Sequence, residues 1–217
     1  MSQRQRQILT ALCGIIGPVI LVASFVINPA PPADATVAQL GAFATLHHDT
    51  IVVGGWLQGL GSLLIVLFAI AVVHLAGATH RIAGWITLLS GATILMVSLV
   101  EVTFYLGAVQ ATAAGDMASA VASNNLIKAV QHIFLIAPAL LLPLGVVLLD
   151  SRLLPRVFAY LALAIGATLQ VLGLFGLFHA LQPVIDVVLI VQSVWFVAAS
   201  IRMLFPQGSS GGAVDTG

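Results

Sequence analysis

The sequence is poor in charge. Of 217 residues, 7 are lysine or arginine and 7 are aspartate or glutamate, 6% in all, against roughly 25% in ordinary globular domains. So few charges cannot keep the surface of a soluble chain of this length wet. With apolar residues at 60%, the excess must face lipid. An excess of either sign is also lacking, so there is no electrostatic case for nucleic acid or a polyanionic substrate. Cys13 is the only cysteine, which excludes an intrachain disulfide and any CxxC zinc site. It sits in an apolar run as a small hydrophobe. There is no GxxxxGK phosphate loop and no HExxH metalloprotease helix. No lysine lies in the last apolar runs, which removes the usual retinal Schiff base. The histidines do not pair at matching depth as haem ligands would. No cofactor and no metal site is identified.

What remains is six long apolar runs, at residues 8–27, 51–77, 82–110, 126–149, 157–181 and 184–205. A helix needs about 20 apolar residues to cross the hydrocarbon core. Backbone groups in lipid must be satisfied within the segment, so the runs are predicted as helices; barrel strands would be about 10 residues long and alternating. The expected fold is an all-α polytopic membrane protein, a six-transmembrane-helix bundle over residues 1–206, with a disordered glycine- and serine-rich tail at 207–217. Six crossings place Arg4, Arg6, Arg81, Arg152, Arg156 and Arg202 on one side and Lys128 on the other. The positive-inside rule makes the arginine side, with both termini, cytoplasmic. The first run exceeds the usual 7–15-residue apolar region of a cleaved signal peptide and reads as an anchor.

The connections are short. In the longest outer one, Asn28-Pro29-Ala30-Pro31-Pro32 cannot be regular helix. Asp34 is then expected to cap a short surface helix with Val37, Leu40 and Ala44 on one face. The alanine-rich stretch 111–125 is expected to extend the fourth helix outward, and Pro138 and Pro143 to kink that helix.

A repeat is visible at a constant offset of 75 residues. Arg81-Ile82-Ala83-Gly84-Trp85 lines up with Arg156-Val157-Phe158-Ala159-Tyr160, and Gly91-Ala92-Thr93 with Gly166-Ala167-Thr168. The hairpin of the second and third runs therefore reads as duplicated in that of the fourth and fifth, in parallel orientation. The small residues suit close helix contact, as do Gly55-x3-Gly59 and Gly173-x2-Gly176.

Depth organises the polar residues inside the runs. Counted from the outer ends at about 1.5 Å per residue, Gln58 lies about 10 Å down, Glu101 about 8 Å, His132 about 9 Å, Gln170 about 13 Å and Gln192 about 12 Å. Five helices thus place a hydrogen-bonding side chain in one layer of the outer half. Thr87, Ser90, Ser98, Glu101 and Tyr105 fit one helix face, interrupted by Ile94. Lys128 and His132 share another. A carboxylate deep in a helix costs roughly 2.5–3.5 kcal/mol on insertion scales, so Glu101 should face the bundle interior, with His132 as partner by depth. Such a pair could serve as acid and base, bind a metal or relay a proton. It equally fits an interhelical hydrogen bond that only holds the bundle together. His47-His48-Asp49 is a weaker candidate at the outer surface.

The Gly-Pro-containing first helix, from Gly14 to Val22, and the loop Leu154-Pro155-Arg156-Val157-Phe158 give the chain a resemblance to actinobacterial six-helix integral membrane proteins of unknown function. Val157 departs from the tryptophan often found after the arginine there. The resemblance implies a bacterial inner membrane and carries no activity. Three functions stay open. The first is an outward-facing polar pocket binding a small or lipid-like ligand through Glu101 and His132, oriented by Gln58, Gln170, Gln192, Lys128 and Tyr105. The second is a membrane enzyme acting on a lipid or isoprenoid through Glu101 and His132. The third is a structural subunit. The bilayer is the one certain partner, and the oligomeric state is not fixed by the sequence.

Overall fold

The computed structural model describes residues 2–29, 31, 35–136, 140–176 and 182–205. Among them are eight helices and no strand: α1 (Gln3–Ile27), α2 (Val37–Leu46), α3 (His48–Leu75), α4 (Ile82–Ala113), α5 (Met117–Ile136), α6 (Leu141–Leu149), α7 (Arg156–Gly176) and α8 (Gln182–Leu204). Five of these, α1, α3, α4, α7 and α8, are long and apolar enough to cross a membrane. The fold is therefore a polytopic helical membrane bundle. The fourth apolar run falls on α5 and α6. Pro143 lies in the first turn of α6, while Pro138 lies outside the described residues. As the alanine-rich stretch implied, α5 begins at Met117, well before residue 126.

Local chemistry sets the helix ends. Ser2 caps α1 in a reciprocal box with Gln5, and Thr36 caps α2 in the same way with Gln39. The cap of α2 is thus Thr36 rather than Asp34, because Gln39 stands three residues on to complete the box; Asp34 lies outside the described residues. Helices α3 and α4 stop alike. Gly77 (φ 65°) and Gly115 (φ 75°) take the left-handed conformation. Each chain then doubles back, with Ala78 N–H bonding Val73 O and Asp116 N–H bonding Ala111 O at 2.9 Å.

Asp116 opens the next helix. Its carboxylate accepts Ser119 Oγ–H at 2.6 Å and Ser119 N–H at 3.1 Å. Those two hydrogen bonds hold its pKa below the ordinary aspartate range. Since the folded pKa is the lower one, the cap's contribution is present above the unfolded pKa and is lost as pH falls through the folded value. An NMR titration in micelles should show the Asp116 carboxyl titrating below ordinary aspartates. In the Ser119→Ala protein it should titrate at a higher pH than in the wild type. Identical titration of the two proteins would refute the capping account.

Helix α1 lies between α3 and α8. Helix α3 packs on α4, α4 on α5 and α6, α6 on α7, and α7 on α8, while α2 rests across α3, α4 and α5. The tightest crossing is α1 on α3. A Cβ added at Gly61 would stand 2.8 Å from Leu21 N and 3.0 Å from Gly17 O, so the two backbones touch. At the next turns, Phe68 and Phe196 meet edge-on at 5.6 Å, both fully buried, and Trp195 Nε1–H donates to Phe158 O at 3.0 Å. Large apolar side chains cover the outside instead, among them Val26, Ile82, Trp85, Leu89, Met96 and Val187. In water that surface would be unstable; in lipid it is solvated.

Candidate functional site

The seam between α3 and α4 holds the buried polar groups. Both helices present small residues inward: a Cβ at Gly55 would meet Val102 at 3.3 Å, at Gly59 Leu99 at 3.4 Å, and at Gly91 Val66 at 3.3 Å. The buried face of α4 carries Gly84, Thr87, Gly91, Ile94, Ser98 and Glu101, which is the polar stripe seen in the sequence with Ile94 built into it. Two hydrogen bonds cross the seam. Gln58 Nε2–H donates to Glu101 Oε2 at 2.6 Å, and one turn deeper the Ser62 and Ser98 hydroxyls bond at 2.8 Å. Gln58 is 2% exposed and Glu101 5%. Thr87 is sealed within its own helix, donating to Ala83 O at 2.7 Å.

The structure therefore brings Gln58 and Glu101 together. Tyr105, one turn outward from Glu101 on α4, is partly buried. The α4–α5 hairpin brings Gly107 against Ser123, whose Oγ would be 3.4 Å from an added Cβ. That antiparallel register sets Glu101 level with about residue 129, and His132 about 4.5 Å further along the axis of α5. The side chain of His132 lies outside the described residues. Lys128 is exposed on α5, away from the buried face formed by Ala120, Ile127 and Val130. Gln170 on α7 and Gln192 on α8 are partly buried, but among the described residues neither helix packs against α4. Helix α7 packs instead on α5, the helix that carries Lys128 and His132. At the surface, His48 Nδ1 pairs with Asp49 Oδ1 at 2.8 Å, exposed, and His47 stacks on Phe43 at 4.6 Å. Among the described residues no three His, Cys, Asp or Glu groups are placed to hold a metal ion.

Three cavities border these helices. A small apolar one, about 40 Å³, lies beneath α2, lined by Asn28, Phe43, Ile51, Tyr105, Val109 and Ile127 among others. Asn28 Oδ1 in its wall is buried and has no hydrogen-bond partner among the described residues. Two larger ones, about 490 and 510 Å³, lie at the opposite, arginine-rich end. Glu101 lines none of the three. Sequence reasoning named Ser98 but missed its partner Ser62, and it missed the arginine-lined cavities. A serine in an apolar run carries little signal by itself, and the cavities join residues from four chain segments.

Residues 7–205 match the family model described as Domain of unknown function (DUF4386), and the chain belongs to that family. No curated protein and no solved structure matches it.

Proposed function

We propose that this DUF4386 member binds a small amphiphilic, lipid-like ligand in the outer half of its bundle, with its apolar part beneath α2 and its polar part toward Glu101. The observation that carries the reading is the buried Glu101, held at 2.6 Å by Gln58, one turn below the Tyr105 that lines the apolar cavity. A turn of helix is about 5.4 Å, within the span of a short headgroup. An apolar cavity stays dry and favours hydrocarbon. The buried Asn28 Oδ1 in its wall would be satisfied by a ligand hydroxyl or amine. The topology that goes with this reading is six crossings, α5 and α6 together making the fourth, with both termini in the cytoplasm of a bacterial cell and the cavity facing out. A parallel duplication supports that count. Gly91 approaches Val66 on α3, and Gly166, 75 residues later, approaches Leu141 and Leu142 on α6, with Leu141 itself 75 residues after Val66.

The test uses a diazirine-bearing short-chain alcohol, matched to the small cavity, with the full-length protein in vesicles. Labelling should map to α2, α4 or α5. It should fall about tenfold, or 1.4 kcal/mol, in Ala120→Leu, which fills the cavity, and in Glu101→Gln, which keeps the shape of the side chain. Labelling that both variants leave unchanged would refute the site. A second reading has its own support: Glu101–Gln58 and Ser62–Ser98 form a satisfied ladder that locks α3 to α4. On that reading alone, Glu101→Gln leaves labelling unaffected.

A further inference from the structure

We propose that the arginine-rich end of the bundle carries a second site, which binds the phosphate headgroup of an anionic phospholipid through Arg152 and Arg202. The two large cavities at this end adjoin. They share Asp150, Ser151, Arg152 and Arg202; the first extends to Gln3 and Gln7 of α1 and the second to Arg156. Three guanidinium groups therefore converge from three places: the α6–α7 connection, the first residue of α7 and the last turn of α8. The one acidic side chain there among the described residues, Asp150, is engaged by Arg81, whose Nη1 donates to Oδ2 at 3.2 Å. Arg152, Arg156 and Arg202 form no ion pair among the described residues. With Asp150 matched by Arg81, the concavity keeps three positive charges.

A guanidinium matches phosphate oxygens in bidentate geometry. The free N–H groups that begin α7 beside Arg156 add to the field. Basic residues on one membrane side are ordinary for a polytopic protein. What distinguishes these three is a shared concave space with Arg202 half-buried in its wall.

The lining also favours a lipid over a soluble phosphate. Leu149, Leu153, Leu154, Met203 and Phe205 flank the arginines. Phe205, with Val157 and Tyr160 near the start of α7, is more than half exposed on the apolar outer surface. An acyl chain can leave the pocket along this apolar path while its phosphate stays on the guanidinium groups, as in basic interhelical pockets that take lipid headgroups. A free anion would gain nothing from those walls. This site is independent of the outer one.

The experiment is native mass spectrometry of the full-length protein titrated with phosphatidylglycerol and, separately, phosphatidylcholine. Phosphatidylglycerol should bind at least about tenfold more tightly. The double change Arg152→Gln with Arg202→Gln should remove that preference and leave phosphatidylcholine unaffected. Arg4→Gln with Arg6→Gln removes an equal number of charges from the same end outside the cavities, and should keep it. Arg152→Lys with Arg202→Lys retains charge and guards against misfolding; it should keep part of the preference. Equal loss in the two glutamine variants would overturn the site in favour of diffuse attraction. Displacement of the lipid by millimolar inorganic phosphate would overturn the lipid assignment in favour of a soluble anion.

Discussion

Replacing Gly61 by alanine should destabilise the bundle by about 1–3 kcal/mol, the usual cost of forcing extra atoms into a packed interior. The same change at Gly59, two residues earlier on α3, should be neutral or stabilising. Alanine is favoured over glycine within a helix by about 1 kcal/mol, so propensity alone predicts a gain at both positions. Surroundings decide the sign. At Gly59 the new methyl meets the tip of Leu99 at 3.4 Å, an ordinary contact with a side chain that can turn. At Gly61 it meets Leu21 N at 2.8 Å, Leu21 Cα at 3.0 Å and Gly17 O at 3.0 Å. All three are backbone atoms of α1 and cannot turn aside. The helix must move as a body, and with it the contact of Gly14 against Phe68 and Ser200, where an added Cβ would stand 2.4 Å and 2.1 Å away. Thermal unfolding in micelles compares the two variants directly. Equal midpoints would mean that α1 and α3 do not cross through Gly61.

Which parts of this could be read in advance follows from the physics of each signal. Hydropathy integrates over some twenty residues, so the membrane helices at α1, α3, α4, α7 and α8 stood out; the short α2 was legible instead from its apolar face at Val37, Leu40 and Ala44, with the cap misplaced at Asp34 instead of Thr36. Arg81 and Arg156 marked helix starts because charges gather where a chain leaves the bilayer; Arg81 precedes α4 and Arg156 begins α7. Depth along a helix is likewise one-dimensional: it put Gln58 and Glu101 in one layer but named His132 as the partner of Glu101, whereas the structure shows Gln58 bonded to it. Depth carries no azimuth, so a shared level does not by itself bring side chains together: neither α7 nor α8, which carry Gln170 and Gln192, packs against α4 among the described residues. Lys128 shows the same limit, at the expected level but facing outward. The arginine cavities were invisible for a related reason. Each arginine alone reads as a topology marker, and only the fold makes Arg152, Arg156 and Arg202 neighbours.

The Gln58–Glu101 pair yields the second large effect, and a double-mutant cycle separates its energy from mere removal of a polar group. Glu101→Leu strips the acceptor from an amide that is 2% exposed. The stranded Gln58 N–H then bears a desolvation cost of about 1–3 kcal/mol, with no water in reach inside a membrane helix pair. Gln58→Leu removes the amide from the carboxyl. Removing both leaves two apolar side chains facing each other across the seam, so the double variant should be more stable than the sum of the singles by about 0.5–3 kcal/mol. Ser62→Ala with Ser98→Ala, one turn deeper, should show the same sign with a smaller magnitude, since neither hydroxyl carries charge. Unfolding free energies of the four proteins in one detergent complete the cycle. Strict additivity would show that the 2.6 Å contact contributes nothing to joining α3 and α4. A positive coupling, together with unchanged lipid labelling in Glu101→Gln, would make the pair a structural rivet. A positive coupling with lost labelling would make it a rivet and a ligand contact at once, a carboxyl held in place by Gln58 and available to whatever enters beneath α2.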